Sequence, residues 1–238
     1  MKNIIVMLAA MAVLFLLPSC EKVKGEGPLQ TETRAETGFS GVSVNIPGKI
    51  NYTIAPVYKV EITAQRNILD VIETYQEHGY LKVKVRNGVS LREHEDIVVN
   101  ISAPHAGYLS MSGSAAMNVT GTLNEVNMEM HVSGSGSIEV ADVAVTGKLY
   151  GNISGSGRIL VAAGTVKDEE LRISGSGKIV MDGAAGEKGI CTISGSGDMY
   201  VKLSQSLDAT ISGSGNIYYR GTPQVTSHIS GSGKVKPL

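Results

Sequence analysis

The amino-acid sequence predicts an all-β protein: a single-stranded parallel β-helix, expected to be right-handed, with coils of about 18–21 residues. One observation is a Ser-Gly-Ser-Gly motif that recurs every 18 to 21 residues through the second half of the chain. Another is the alternation of apolar residues on both sides of each copy, which indicates strands with one buried face. Two glycines in every four residues, with no 3.6-residue apolar stripe, exclude a helix there. Complete copies of the motif begin at residues 133, 154, 174, 194, 212 and 230, after a degenerate copy at 112.

The two apolar positions that flank each motif copy define the predicted core. In the copy that starts at Ser174, Ile173 precedes the motif and Ile179 follows its end by two residues, so both side chains point to the same side. If each coil lies on the one before it, the residues that precede the motif form one continuous apolar ladder. That ladder includes Ile153, Ile173, Ile193 and Ile211.

Two explanations fit the paired glycines. Either the chain turns a corner there, for which glycine supplies positive φ, or opposing walls approach too closely for a side chain. We favour the corner, because glycine in a straight strand lowers stability. The serines point outward in columns, in which we expect each hydroxyl to bond to the next; the alternative is a flat polar stripe that contacts a glycan or another protein. The candidate stripe comprises Ser154, Ser156, Ser174, Ser176, Ser194, Ser196, Ser212 and Ser214, with Tyr200 and Tyr218.

Residues 1–20 predict a bacterial lipoprotein signal peptide. Lys2 precedes an apolar stretch that is short for a membrane span and ends at Leu17-Pro18-Ser19-Cys20. This ending resembles the lipoprotein signal, in which the cysteine becomes the lipid-bearing first residue of the mature protein. Cys20 is therefore the predicted lipidation site, and we expect a lipid-anchored protein of the cell envelope, on either face of the outer membrane. Residues 21–38 are polar and contain Gly and Pro, which predicts a flexible tether.

Residues 39–110 are predicted to be β-rich and either to supply the first coils or to cap them. Asn67–Gln76 interrupts the alternation and predicts one short helix or an irregular turn. The motif-bearing β-helix itself is predicted over residues 111–238. Alternating apolar residues mark short strands near residues 42–46, 50–54, 60–62, 81–85 and 97–101.

The order of these features resembles a known family. Phe39-Ser40-Gly41-Val42 opens it, Ile97–Ile101 and Pro104 follow a series of strand pairs, and Leu109–Ser114 leads into the repeated motif. This order is similar to the putative auto-transporter adhesin, head GIN-domain family of exported bacterial proteins, over about residues 38 to 236. The resemblance implies a β-helical exported domain, and the family name implies adhesion.

Candidate catalytic or metal-binding residues are sparse. The formal net charge of −1 gives no indication of a nucleic-acid partner. Cys191 lies two residues before Ile193 and therefore points to the same side of the strand, so we expect it to be a small buried core residue. His131 and His228 occupy equivalent positions five coils apart, too far to share a metal. We expect no metal, no cofactor and no catalytic residue. The column after the motif has mixed charge, typical of a solvated surface: Ser137, Arg158, Lys178, Asp198, Asn216 and Lys234.

Three functions remain open at this point. The leading prediction is a non-catalytic, lipid-anchored envelope protein that acts as an adhesin-like or glycan- or protein-binding scaffold. Its expected partners are the membrane, through Cys20, and a glycan or protein ligand. The rival is an enzyme that acts on envelope polysaccharide, which needs two or more carboxylates within about 10 Å in a groove. The third is a purely structural spacer without a ligand.

Overall fold

A computed structural model describes residues 21–238, so the predicted signal peptide and the predicted lipidation site Cys20 lie outside the described residues. The described chain is almost entirely β: 19 strands form one sheet, and two short strands form a separate pair. A four-residue helix, α1, spans Arg66–Leu69. The all-β prediction is therefore confirmed.

The N-terminal half contains short strands that precede the complete motif copies. Their bounds are β1 Glu21–Val23, β2 Leu29–Arg34, β3 Gly41–Asn45, β4 Lys49–Ile54, β5 Lys59–Gln65, β6 Ile72–Glu77, β7 Tyr80–Val85, β8 Val89–Leu91, β9 Val98–Ala103 and β10 Tyr108–Gly113.

The repeat region contains longer strands, several of which continue through a corner where their register with the neighbouring strand shifts. Their bounds are β11 Ala116–Glu125, β12 Met128–Gly134, β13 Ser137–Gly155, β14 Arg158–Val161, β15 Gly164–Gly175, β16 Lys178–Val180, β17 Ala184–Gly195, β18 Asp198–Gly213, β19 Asn216–Arg220, β20 Gln224–Gly231 and β21 Lys234–Pro237.

Successive motif copies lie directly on one another. Ile153 pairs with Ile173, Ile173 with Ile193, and Ile193 with Ile211, all in parallel register. Each of these side chains is at most 2% exposed, so they form the apolar ladder that the sequence predicts. Burial of isoleucine in such a ladder contributes about 2 kcal/mol per side chain, which makes the ladder a main source of stability.

Each coil of the repeat region contributes strand segments on three sides. In β13, residues 137–140 pair with β14, and residues 143–145 and 148–155 pair with two successive segments of β15. The register with β15 shifts between Val145 and Lys148, where the chain passes from one side to the next. We call the segments that end in the motif the motif side, and those that follow it the post-motif side. The motif side comprises residues 128–134, 149–155, 169–175, 189–195, 207–213 and 225–231, and the post-motif side comprises 137–140, 158–161, 178–180, 198–201, 216–219 and 234–237.

The two glycines of the motif have different roles, so both explanations from the sequence hold. The first glycine turns the corner: Gly155 has φ of +123°, and a Cβ there would lie 2.6 Å from the carbonyl oxygen of Gly134 in the preceding coil. The second glycine faces the interior. A Cβ on Gly177 would lie 2.5 Å from Ile153 Cγ2, so the ladder leaves no room for a side chain.

The N-terminal region both continues the coils and caps them. Strand β3 pairs in parallel with β10 and β7, and β4 pairs in parallel with β11 and β9, which extends the stack. Strands β5 and β6 then pair antiparallel with β9 and β7 and end the parallel arrangement. The segment Asn67–Gln76, expected to form one helix or turn, instead divides between the end of α1 and most of β6.

Residues 21–38, for which the sequence predicts a flexible tether, contain two strands instead. Strand β1 pairs in parallel with β8, and β2 pairs antiparallel with all of β5 except Lys59. Strand β2 lies on the surface, where its residues are exposed or half-buried and Leu29 is 48% exposed. Such a strand needs no alternation of apolar residues, because backbone hydrogen bonds rather than burial hold it in place.

Candidate functional site

The serines of the motif form two exposed columns along one corner of the solenoid. Ser154 pairs with Ser174, Ser174 with Ser194, and Ser194 with Ser212. Backbone bonds hold the corner in every coil; for example, the Ser176 N–H donates to the Gly155 carbonyl at 2.9 Å. The structure therefore brings the predicted serines together, in columns spaced by about 4.8 Å. All eight are exposed: Ser154, Ser156, Ser174, Ser176, Ser194, Ser196, Ser212 and Ser214.

The hydroxyls of these columns mostly do not bond to one another. Among residues 21–238, one pair of serine hydroxyls is within hydrogen-bond distance: Ser232 Oγ donates to Ser214 Oγ at 3.0 Å. The expected ladder of bonded hydroxyls is therefore wrong for most coils. Side chains of the same rotamer repeat at the coil spacing of about 4.8 Å, which exceeds hydrogen-bond distance. The remaining hydroxyls are free to bond to solvent or to a ligand.

Tyr200 and Tyr218 stack on the post-motif side, next to the motif corner. Their ring centroids are 4.8 Å apart at an interplanar angle of 17°, and Lys178 Nζ lies 5.2 Å from the centroid of Tyr200. Burial, with nearby Asp198, raises the pKa of the Tyr200 hydroxyl, which stays a neutral donor near pH 7. Tyr200 follows Ser196 by four residues, about 13 Å of strand, so the tyrosines border the serine columns without joining them.

A longer aromatic ladder, which the repeat pattern does not predict, lies on the motif side and on its continuation through β10, β3 and β7. Tyr80 stacks on Tyr108 with centroids 4.3 Å apart, and His131 lies 5.4 Å from Tyr108 and 5.5 Å from Tyr150. Gly41 pairs with Tyr108, and Tyr80 directly precedes Leu81, the partner of Val42, so the two tyrosines lie on either side of Gly41. A Cβ on Gly41 would lie 2.8 Å from Tyr108 Cβ. The absent side chain lets the two rings meet.

A sequence signal for part of this ladder exists. Tyr108 and Tyr150 each stand three residues before the apolar residue that precedes a motif copy, so they occupy equivalent positions two coils apart. Glu129 occupies this position in the coil between them and is in register with both, while His131 of that coil supplies the ring. Tyr80 and Tyr108 stack face to face, while His131 is tilted by 38° to Tyr108 and by 47° to Tyr150. These contacts between rings stabilise the coils, and all four residues are half-buried at the surface.

Glu169 is a buried carboxyl inside the solenoid that the apolar pattern of the sequence does not predict. The residue is 2% exposed, and within residues 21–238 neither carboxyl oxygen has a hydrogen-bond partner. Burial raises the pKa of the Glu169 carboxyl to about 8. Room for the side chain comes from Gly186, where a Cβ would lie 2.5 Å from Glu169 Oε1.

The cysteine and histidines considered in the sequence do not form a shared site. Cys191 is fully buried, as expected, and burial, with Glu169 and Asp208 nearby, raises the pKa of its thiol. His131 and His228 do share a column but are separated by several coils. Across residues 21–238, no group of three or more His, Cys, Asp or Glu side chains is arranged to hold a metal ion.

These features define the class of protein: a capped parallel β-solenoid with a repeated, exposed Ser-Gly corner. The chain belongs to the family described as "Putative auto-transporter adhesin, head GIN domain", whose model matches residues 38–223. This confirms the resemblance in the sequence, and membership indicates a protein of the cell envelope or surface. A search among curated proteins finds no match.

Solved structures share the fold. A putative adhesin from Bacteroides fragilis has a TM-score of 0.83 at 20% identity, with 91% of this chain and 100% of that chain covered. A putative lipid binding protein from Parabacteroides distasonis has a TM-score of 0.74 at 24% identity, with 92% and 100% covered. A putative adhesin from Parabacteroides merdae has a TM-score of 0.70 at 22% identity, with 92% and 99% covered.

No helix between residues 21 and 238 is long and apolar enough to cross a membrane.

Proposed function

We propose that the protein is a non-catalytic, lipid-anchored scaffold of the cell envelope that binds a glycan along its motif corner. The observation that carries this proposal is the exposed double column of serines, whose hydroxyls are largely unused inside the protein. Uncharged hydroxyls that repeat along an exposed corner suit a neutral polymer that presents hydroxyls of its own. The rigid β-ladder beneath them keeps the ordering cost of binding low.

Repetition strengthens such a surface. A single serine contact contributes little, but the same pair of hydroxyls recurs in at least five coils, so a polymer can engage several copies at once. Tyr200 and Tyr218 add ring edges and two phenolic hydroxyls beside the corner. We expect a protein ligand to be the alternative occupant of the same corner.

Lipid anchoring at Cys20 is part of the proposal. It rests on the ending Leu17-Pro18-Ser19-Cys20 and on membership of an adhesin family of the cell envelope or surface. The attached acyl chains would hold the solenoid at a bilayer, with the outer membrane as the proposed site.

A glycan array probed with residues 21–238 tests the binding proposal. The double variant Ser174→Arg and Ser194→Arg fills the corner, and we expect at least a tenfold loss of affinity for any bound glycan, about 1.4 kcal/mol. The matched control, Thr146→Arg and Thr165→Arg, places the same charge at exposed positions away from the corner and should bind normally. Circular dichroism confirms that both variants are folded.

The outcomes separate the three functions. Binding that survives in the corner variant, or that falls equally in both variants, contradicts the proposed site. Absence of binding to glycans and to envelope proteins by the folded protein favours the structural spacer. Release of unsaturated uronate or reducing ends from envelope polysaccharide favours the enzyme.

A second candidate function is binding of an acyl chain. One structural relative is described as a putative lipid binding protein, and this chain has a groove of about 520 Å³ whose lining includes Val145, Val166 and Leu203. Titration with a fluorescent fatty acid tests it. Ala185→Trp should block binding in the groove, while the double variant Ser174→Arg and Ser194→Arg should bind as the unmodified protein does.

A further inference from the structure

The first residues of the described chain are fastened to the folded body. The Glu21 N–H donates to the Gly88 carbonyl at 2.8 Å, and all three residues of β1 pair with β8. A few residues later, the Glu26 N–H donates to Asn67 Oδ1 at 3.0 Å. Backbone pairing therefore begins at the residue that directly follows Cys20.

Ion pairs add to this attachment. Arg86 Nη2 lies 3.2 Å from Glu21 Oε2, and Lys24 Nζ lies 2.6 Å from Glu93 Oε2. Exposed pairs of this kind contribute little stability. They pair two of the four cations in and beside β1 and β8, while Lys22 and Arg92 are exposed and form no ion pair among residues 21–238, so acyl chains would act together with these two charges at a bilayer.

The attachment point is at the capped end of the solenoid. Strand β8 follows β7 through the turn at Asn87-Gly88. Strand β7 pairs with β3 along one edge and with β6 along the other. Strand β6 is one of the antiparallel strands that end the stack. The post-motif side continues through β11 and β4 to β9, which lies beside this end. Eight strand-to-strand steps separate β9 from β21, a distance of about 38 Å.

We propose that the lipid at Cys20 holds the capped end directly against the bilayer, with no linker between them, and leaves the last coils farthest from the membrane. This inference rests on the proposed lipid anchor. Consecutive Cα atoms are 3.8 Å apart, so a modified Cys20 lies within one residue of strand β1. A body held at one end has its other end farther from the surface on average. The coils that carry Tyr200 and Tyr218 are then presented outward, where a ligand on another cell or polymer can reach them.

Energy transfer from an introduced tryptophan to a membrane dye measures this placement. The chain contains no tryptophan of its own, so each introduced residue is a single donor at a known position. The full-length protein is expressed with its signal, purified, and reconstituted into vesicles of phosphatidylethanolamine and phosphatidylglycerol that contain dansyl-phosphatidylethanolamine. Two exposed reporters are introduced separately: Asn87→Trp beside the anchor and Lys236→Trp in the last strand. We expect transfer from position 87 to exceed transfer from position 236 severalfold.

An inserted linker provides the second measurement. Twelve Gly/Ser residues between Cys20 and Glu21 have a root-mean-square span of about 19 Å, and we expect them to reduce transfer from Asn87→Trp severalfold. The matched control places the same insert between Thr222 and Pro223, in the loop after β19, and should leave that transfer unchanged.

Mass spectrometry of the purified protein distinguishes the two possible failures. A mature protein that lacks acyl chains on Cys20 overturns the lipid anchor and this inference together. An acylated protein in which positions 87 and 236 transfer equally, or in which the inserted linker has no effect, overturns the placement and leaves the anchor intact.

Discussion

The buried carboxyl of Glu169 should make the stability of the solenoid depend on pH. Its pKa rises from 4.5 in the unfolded chain to about 8 in the folded protein because burial penalises the charged form. Between these values the folded state binds a proton that the unfolded state has released, so the free energy of unfolding falls as pH rises. The full difference corresponds to about 5 kcal/mol, lost between pH 4.5 and about pH 8 at up to about 1.4 kcal/mol per pH unit.

Urea unfolding followed by circular dichroism, at pH values from 5 to 9, measures this loss. Glu169→Gln has nearly the same shape but cannot titrate, so subtracting its pH profile removes the contribution of the histidines. We expect the profile of the variant to be flatter than that of the unmodified protein by several kcal/mol over this range. The free energy of unfolding of Glu169→Leu should likewise vary less with pH. At pH 8 this variant should be more stable than the unmodified protein, because it removes the buried polar group.

A neighbouring carboxylate provides the control. Glu170 is hydrogen-bonded to Lys148 and Arg172, which lower its pKa, so its contribution is lost only as pH falls below the usual range of a glutamate. Glu170→Gln should therefore leave the slope between pH 5 and 8 unchanged. Equal slopes for the unmodified protein and Glu169→Gln across that range would refute the reasoning.

Three further changes test the corner, the core and the aromatic ladder by the same unfolding assay. Gly195→Ala should destabilise by several kcal/mol, because φ is +132° and the Cβ would strike the preceding coil, whereas Ser194→Ala should be nearly neutral; equal effects would contradict the corner geometry. Ile193→Ala should cost about 2–5 kcal/mol through the cavity left in the ladder, and a loss below about 1 kcal/mol would contradict its packing. Tyr108→Ala should cost about 1–3 kcal/mol by removing the ring between Tyr80 and His131, and an unchanged stability would show that the rings do not support the coils.

The repeat predicts the fold because its period and the alternation of its apolar residues both indicate stacked β-coils. A spacing of 18 to 21 residues specifies the coil, and the apolar residues on both sides of the motif specify which faces are buried. The structure adds what the sequence left open about the glycines: Gly155 turns a corner, while Gly177 leaves room for Ile153.

Features that depend on contacts between distant coils were not predictable in the same way. Strand β2 resembles a tether because a surface strand lacks apolar alternation, and its partner β5 lies about 30 residues away. Glu169 occupies an inward position that the pattern assigns to an apolar residue, and its accommodation depends on Gly186 in the next coil. Bonding between the serine hydroxyls depends on rotamers, which periodicity does not specify.

Cross-linking between coils tests most directly the register of the motif copies, on which the binding corner and the membrane placement both depend. Ser174 and Ser194 are paired residues of adjacent coils, and their Cα spacing of about 4.8 Å lies within the range for a disulfide. The double variant Ser174→Cys and Ser194→Cys, prepared in residues 21–238, should form a disulfide on mild oxidation, detected by mass spectrometry after proteolysis. The pair Ser174→Cys and Ser212→Cys spans two coils, about 9.6 Å, and should remain reduced. Bond formation by the second pair, or by neither, would contradict the stacking.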